Sequence, residues 1–160
     1  MARLQADARS SVRGRLQVAD RTFRLERASR DDIEAIAALL LDDQFGSDRE
    51  SVELERYEAA FSAVARDSSH YLGVVRDSAD HMVATMQLTV IPGLSRGGST
   101  RLQIEGLRVA PGERSRGLGT AMLEWAHEFG RARGARLAQV TTDEARDRTC
   151  LLYTSDAADE

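Results

Sequence analysis

The sequence predicts one domain of the α/β (α+β) class, and three observations lead to this prediction. Its 160 residues are enough to bury a substantial core within a single domain. Segments of strand-like and helical period follow one another in the order β-α-α-β-β-β-α-β. No internal repeat or long linker interrupts that order, which is typical of a layered α/β architecture.

The composition argues against two classes of function. The chain is 42% hydrophobic and 30% charged, as is usual for a globular protein. No apolar run approaches the ~20 residues of a membrane helix, so we expect no membrane association. The formal net charge of −4 argues against a general nucleic-acid binder, which is usually basic. A cytoplasmic location is therefore expected.

Both ends of the chain are expected to lie outside the folded domain. Residues 1–20 are polar and Arg-rich, with neither sustained periodicity nor the apolar region of a secretory signal, and predict a disordered extension. Cys150–Glu160 (CLLYTSDAADE) resembles a translated transposon-type sequencing adapter, and it contains none of the 22 basic residues, all of which are Arg. The alternative is a genuine polar C-terminus. The adapter interpretation leaves residues 21–149 as a domain that is incomplete at its C-terminus.

The first half of the domain is predicted to hold one strand and two helices. Thr22–Ala28 (TFRLERA) starts with alternating apolar residues and predicts a strand. Ser29 and Asp32 have the spacing of a capping box and open a helix with an apolar face. The helix should end near Gly46, because QFGSD is typical of a turn. A second helix is predicted over Ser51–Arg66.

The second half is predicted to be richer in strands. A polar, Gly-rich connection at 92–100 (PGLSRGGST) is expected to form no regular element. Gly134 should end the last helix in a left-handed conformation. The predicted elements are the strands His70–Arg76, His81–Ile91 and Arg101–Val109, the helix Gly117–Arg133 and the strand Arg136–Thr142.

The strand before the last helix contains a change of register. Its apolar residues fall on two parities, Leu102 and Ile104 on one, and Leu107 and Val109 on the other. A β-bulge at Gly106 would reset the register, so that all four point to one core and Glu105 lies on the opposite face. The alternative is a regular strand that is buried on both faces.

The segment Arg114–Thr120 (RSRGLGT) follows this strand and opens the last helix. N–H groups in the first turn of a helix are unpaired and lie at the positive end of its dipole. Gly117 and Gly119 lack a Cβ, which lets the backbone approach a ligand closely. The segment therefore predicts an anion site, for which a diphosphate is the natural occupant. It matches neither GxxxxGK[ST] nor GxGxxG, so the patterns of a P-loop and of a Rossmann fold do not apply.

The longer segment IEGLRVAPGERSRGLGTAML resembles the acetyl-CoA signature of the GNAT superfamily of N-acyltransferases. That signature is a strand ending in Val, a five-residue step, R/Q-x-x-G-x-G/A and an amphipathic helix, and Val109, Arg114, Gly117 and Gly119 match it. The resemblance covers about residues 22–149, and it implies a GNAT-like mixed sheet without the usual last helix and strands. It also implies transfer of an acetyl group from acetyl-CoA to a primary amine of a small molecule or peptide, by direct attack.

The resemblance assigns roles to individual residues. Backbone groups of Leu107, Arg108 and Val109 would pair with the pantetheine arm as if it were an added strand. Glu105 matches a position where some members place a general base, which removes a proton from the acceptor ammonium before it attacks. Arg114 and Arg116 would add positive charge to the diphosphate site. The backbone amides that would hold the diphosphate belong to Ser115, Arg116, Gly117, Leu118, Gly119 and Thr120.

The chain departs from the family pattern at the general acid. Many members place a tyrosine that protonates the leaving thiolate within Y-x-x-x-G-F, and nothing here matches it, because Tyr153 lies in the adapter-like tail. Glu105 can equally be a structural strand residue. Two other functions stay open: a non-catalytic domain that binds or senses acyl-CoA, and a phosphate-binding regulatory module unrelated to CoA.

The acceptor itself is not specified by the sequence. The three histidines, His70, His81 and His127, lack metal-ligand spacing and are expected at the surface, so no metal site is predicted. Asp42, Asp43 and Asp48 could attract a cationic amine, although a solvated helix end explains them as well. Ser95, Arg96 and Arg101 could equally contact an acidic acceptor. A homodimer is compatible with the resemblance.

Overall fold

The computed structural model describes residues 12–41 and 54–141, which form a six-stranded sheet in the order β1-β2-β3-β4-β5-β6. Neighbouring strands are antiparallel, except for the parallel pair β5 and β6. This arrangement confirms the predicted α/β class, with one strand added at the front. The strands are β1 Gly14–Val18, β2 Arg21–Arg27, β3 His70–Arg76, β4 Met82–Ile91, β5 Thr100–Val109 and β6 Ala135–Val140.

Helices lie on both faces of the sheet. The helices are α1 Ile33–Leu41, α2 Leu54–Arg66 and α3 Leu118–Ala132. Helix α3 is the crossover that a parallel pair of strands requires, and it packs on the face that carries the larger core. Helices α1 and α2 cover part of the other face over a smaller cluster around Val74. In the described ranges no helix is long and apolar enough to span a membrane.

The predicted elements agree with the structure where the structure describes them. The bounds of β3 are those predicted, and the other strands and α3 differ by one or two residues. The Ser29 N–H donates to Asp32 Oδ2 at 2.8 Å, and Gly134 has a φ of 80°, as expected for the two helix ends. The connection after β4 contains one turn, Ser95–Gly98, with left-handed φ at Arg96 and at the glycine after it.

Three predictions fall outside the described residues. They are the helix end near Gly46, the start of the second helix at Ser51, and the adapter-like tail Cys150–Glu160. The expected loss of the last helix and strands concerns residues after 141, which also lie outside.

The disordered extension predicted for residues 1–20 is wrong for the part that the structure describes. Residues Gly14–Val18 form β1, which pairs with β2 through a two-residue turn in which Ala19 has a φ of 54°. Leu16 is 1% exposed, whereas its neighbours Arg15 and Gln17 face solvent. A single buried leucine between polar residues is too short a pattern to indicate a strand, and contact with α3 supplies the rest of the stabilisation.

The core of the larger face is built on an aromatic cluster. Tyr71, Trp125 and Phe129 have ring centroids 5.2–5.5 Å apart and are at most 2% exposed. The apolar stripe of α3 predicted from its spacing is confirmed, since it is buried throughout: Leu118, Met122, Trp125 and Phe129. Gly14 of β1 lies directly against the indole, because a Cβ built on it would be 2.3 Å from Trp125 Nε1.

We predict that Gly14→Ala destabilises the fold by about 1–3 kcal/mol, because the new methyl group overlaps the buried indole. Denaturant unfolding would measure the loss. Gly112→Ala is the matched control, since a Cβ there meets nothing within 4 Å. Equal stabilities of the two variants would show that β1 is not held against Trp125.

Candidate active site

The predicted break in β5 is present at Gly106. Thr85 of β4 pairs with Arg108, and Gln87 pairs with Glu105. Gly106 and Leu107 of β5 therefore lie together opposite one residue of β4, the one between Thr85 and Gln87. Gly106 has a φ of 59°, a left-handed conformation that glycine adopts without strain. The alternative of a regular strand is thereby excluded.

The bulge has the predicted effect on the side chains. Leu102 and Ile104 before it are buried, and Leu107 and Val109 after it pack against the same core. Glu105 belongs to the other face of the sheet and is partly buried. Register reset at one glycine therefore keeps both halves of the strand on one core.

Strand β5 parts from β6 at the same place. The two strands pair from Thr100 to Ile104, and the last link is the Thr141 N–H donating to the Ile104 oxygen at 3.1 Å. Within the described residues no strand pairs with 105–109 on that side. The second half of β5 therefore presents an open edge, beginning at the bulge.

Leu107 and Val109 direct their backbone groups to this open edge. The Ala110 N–H donates to the Val83 oxygen at 2.8 Å, and antiparallel strands alternate the direction of their backbone groups. The backbone of Arg108 therefore faces β4, and it is not available at the open edge as the sequence had led us to expect.

The two carbonyl groups at the edge accept hydrogen bonds from arginine side chains. Arg108 Nη1 donates to the Leu107 oxygen at 3.0 Å, and Arg114 Nε donates to the Val109 oxygen at 2.9 Å. Arg114, expected to face a diphosphate, thus lies back along the strand. These bonds identify the carbonyl groups as acceptors that an extended ligand with N–H groups can use.

The loop after β5 connects the end of this open edge to the N-terminus of α3. Ser115 and Gly117 have left-handed φ values of 60° and 96°, which turn the chain sharply. The first bond of the helix is donated by the Ala121 N–H to the Gly117 oxygen. The N–H groups of 118–120 precede it and have no partner within the helix. The predicted anion-binding geometry is therefore compatible with the local structure.

The two glycines of the loop differ in what surrounds them. A Cβ on Gly117 would lie 3.3 Å from Val18 Cγ1 of β1, and the left-handed φ would be strained. A Cβ on Gly119 would meet nothing within 4 Å. Gly117 is therefore needed by the fold, whereas the space beside Gly119 is open to a ligand.

A salt bridge fastens the start of the loop to β2. Arg21 Nη1 and Nη2 donate to the two carboxylate oxygens of Glu113, each at 2.7 Å, and the Glu113 side chain is 12% exposed. Arg116 Nη1 lies 3.9 Å from the same carboxylate and remains 56% exposed, so its charge faces solvent beside the loop. The hydrogen bond from Arg21 holds the pKa of the Glu113 carboxyl below its usual value of 4.5.

Sequence patterns did not indicate this anchor. Arg21 and Glu113 are separated by 92 residues, Arg21 belongs to no motif, and Glu113 falls at an unspecified position of the step between Val109 and Arg114. Val18, which contacts the loop glycine, lies in the segment predicted to be disordered. The one available signal was the apolar alternation of Leu16 and Val18 just before the first predicted strand.

Glu105 lies in a polar part of the sheet face, directly opposite Gln87 of β4. Gly106 next to it approaches the end of α1, where Leu40 Cδ2 would lie 3.9 Å from an added Cβ. His70 of β3 belongs to the same polar part, with Nδ1 at 3.0 Å from Thr89 Oγ1 and 3.5 Å from Gln87 Nε2. His70 therefore takes part in the polar contacts of this face, whereas the sequence had led us to expect a surface histidine.

The structure also shows where the remaining histidines and a buried tyrosine lie. His81 is 77% exposed, and burial lowers the pKa of His127. Tyr71 is buried in the core, its hydroxyl donates to the Val12 oxygen at 2.8 Å, and burial raises its pKa. Among the described residues no cluster of His, Cys, Asp or Glu could hold a metal ion. Asp42, Asp43 and Asp48 lie outside those residues.

We predict that Glu113→Gln lowers the melting temperature by a few degrees at pH 7 and has progressively less effect in acid. Because the folded-state pKa of Glu113 is depressed, its stabilisation is complete above about pH 4.5 and is lost as the pH falls through the lower folded-state value. Thermal melts from pH 7 to pH 3 would measure this. The exposed Glu124→Gln on α3 is the control, and an unchanged pH dependence in Glu113→Gln would contradict the prediction.

Comparison with solved structures gives neighbours of the same fold. A transcriptional regulator from Bacillus halodurans C-125 is 32% identical, with a TM-score of 0.76 over 85% of this chain and 94% of that one. Glucosamine-6-phosphate N-acetyltransferase from Arabidopsis thaliana is 16% identical, with a TM-score of 0.65 over 86% and 95%. An aminoglycoside acetyltransferase from an uncultured soil metagenomic sample is 18% identical, with a TM-score of 0.65 over 86% and 90%.

Comparison with curated proteins gives no match. A family model described as Acetyltransferase (GNAT) family matches residues 33–156, which include the bulged strand, the loop and α3. The family match covers most of the chain, and the identity to the Bacillus halodurans protein extends over most of its length. The chain belongs to the GNAT acetyltransferase family.

Proposed function

We propose that this protein is an N-acetyltransferase that moves an acetyl group from acetyl-CoA to a primary amine of a small molecule or peptide. The observation that carries the proposal is the continuous path from the open edge of β5, at Leu107 and Val109, to the unpaired N–H groups at the start of α3. Membership of the GNAT acetyltransferase family supports an acyltransferase activity in general.

The path suits the two ends of acetyl-CoA. The pantetheine arm carries amide groups, which can pair with the backbone of Leu107 and Val109 as an added strand does. The N–H groups of this arm would replace the guanidinium donors that now reach the two carbonyl groups. The diphosphate would accept from the amides of Ser115–Thr120, at the positive end of the α3 dipole. The open space beside Gly119 fits a group that lies directly on the backbone.

In this proposal Glu105 would act as the general base. It precedes the bulge by one residue and is on the face of the sheet away from the core. A carboxylate there would take a proton from the acceptor ammonium, directly or through water, so that the nitrogen lone pair becomes available. Attack forms the C–N bond, the C–S bond of the thioester breaks, and the proton that the nitrogen loses as the amide forms passes to the departing sulfur, directly or through water, to give the free thiol. The Leu107 N–H, which points to the open edge, would polarise the thioester carbonyl.

A second candidate function is a domain that binds acyl-CoA without turnover. It is favoured by the name of the Bacillus halodurans structure, a transcriptional regulator that is 32% identical to this chain. Both candidates require affinity for acetyl-CoA, so calorimetry that shows none would overturn both. Release of free thiol in the presence of a panel of primary amines separates them, because a sensing domain releases none.

We predict that Gly119→Val weakens acetyl-CoA binding by roughly tenfold or more while leaving the chain folded, because the new side chain enters the space proposed for the diphosphate. Titration calorimetry would measure the affinity, and a thermal melt would confirm the fold. Gly112→Ala, also with open space around its added Cβ, is the control for the loop. Unchanged affinity in Gly119→Val would remove the diphosphate from this position.

We predict that Glu105→Gln lowers kcat/KM by roughly 10²- to 10³-fold, since the amide cannot accept the proton. The acid limb of the pH–rate profile should disappear, whereas the affinity for acetyl-CoA should not change. Glu34→Gln, at an exposed position of α1, is the control for charge removal. An unaltered pH–rate profile would show that Glu105 is a structural strand residue.

A further inference from the structure

Two arginine side chains cover the aromatic cluster at the end of the sheet opposite the loop that precedes α3. The Arg27 Cζ atom lies 4.7 Å from the centroid of the Tyr71 ring, and the Arg133 Cζ atom lies 3.6 Å from the centroid of the Phe129 ring. The centroids of these two rings are 5.2 Å apart. Arg27 ends β2 and Arg133 follows α3, so the packing of that helix on the sheet brings the two guanidinium groups together.

Each guanidinium group is also held by a backbone contact. Arg27 Nη1 donates to the His70 oxygen, and Arg133 Nη1 donates to the Phe129 oxygen, each at 3.3 Å. The second contact lies in the last turn of α3, and Gly134 ends this helix with a left-handed φ. A guanidinium group has five N–H donors, so after one such contact most donors of each arginine remain for a ligand.

The two positive charges repel each other, and among the described residues no carboxylate forms an ion pair with either of them. Burial, and after it the charge of Arg27, lowers the pKa of Arg133. Glu26, next to Arg27, is on the opposite face of the sheet and pairs with Arg76 Nε at 2.8 Å. The Asp67 carboxylate accepts hydrogen bonds within its own turn. This end of the described structure therefore carries two positive charges without a counter-charge.

Two guanidinium groups with remaining donors are suited to a doubly charged oxyanion, because their planar forks match the oxygen atoms of a phosphate. Bound phosphate would also offset the repulsion between the two charges. Covering the rings does not by itself require two like charges side by side, since a methionine side chain packs on an aromatic ring as well. The pair is also distant from the loop: α3 has 15 residues, roughly 22 Å at the usual helical rise, and the loop lies at its other end.

We propose that Arg27 and Arg133 bind a dianionic phosphate group, either as free phosphate or as the monoester of a small molecule. The phosphate lies between the two guanidinium planes and accepts from their solvent-facing donors, while the rings of Tyr71 and Phe129 support the planes from behind. The inference does not depend on the proposed acetyl transfer, because these residues belong neither to the open edge of β5 nor to the loop.

An NMR titration of the full chain with inorganic phosphate, at constant ionic strength against chloride, tests the site. We expect saturable shifts of the Tyr71 and Gly134 amide signals, with a dissociation constant on the order of 1 mM. Arg27→Met and Arg133→Met keep an apolar cover over each ring and remove its charge, so each should weaken binding roughly tenfold. Glycerol phosphate is the second probe. Tighter binding than that of inorganic phosphate assigns the site to a monoester, and weaker binding assigns it to free phosphate.

Two controls locate the binding. Arg131→Met removes an exposed arginine at the same end of α3 that is not stacked on a ring of the described structure, and it should leave the phosphate affinity unchanged. Gly119→Val fills the space beside the loop and should preserve the Gly134 shifts, which separates this site from the one proposed for the diphosphate. A thermal melt checks each variant, and Arg133→Met serves where Arg27→Met is poorly folded.

Three outcomes would overturn the site, whatever the result for acetyl-CoA. The first is a wild-type chain without saturable shifts, and the second is a set of shifts confined to the loop around Gly119. The third is an equal loss of affinity in Arg131→Met and Arg133→Met, which would reduce the effect to the general charge of this surface.

Discussion

The break in β5 at Gly106 is the constraint on which the rest of the site depends. Apolar residues occur on opposite parities before and after it, and burying both sets requires one extra residue in the strand. The same break coincides with the end of pairing to β6, so that burial of the core and exposure of a backbone edge occur together. Hydrophobic burial, which is far larger than the energy of a single hydrogen bond, thereby maintains the open edge.

A second constraint acts on the loop that continues this edge. Ser115 and Gly117 have left-handed backbones, which need surrounding structure to hold them. The paired hydrogen bonds from Arg21 to Glu113 and the contact with Val18 provide it from β1 and β2. The first two strands, which lie far from the loop in sequence, therefore position the amides at the start of α3.

Prediction from sequence succeeded where the signal was local and failed where it was not. The bulge was predictable because parity is counted within one strand, and the helix ends at Ser29 and Gly134 because capping depends on a few adjacent residues. Strand β1 was missed because its Arg-rich composition resembles that of a disordered segment, and its one buried residue, Leu16, is stabilised by the distant helix α3. The backbone direction of Arg108 also depended on pairing with another strand.

The sequence by itself determined the α/β class, the order of the elements from β2 onwards, the register change at Gly106 and the loop that resembles the GNAT signature. These features depend on residue spacing along one segment, which folding does not alter. Only the tertiary structure decided that β1 joins the sheet, that Arg21 fastens the loop, and that His70 meets Gln87 in the face that carries Glu105. Such contacts join residues far apart in the chain, and only the packing of the strands brings them within hydrogen-bonding distance.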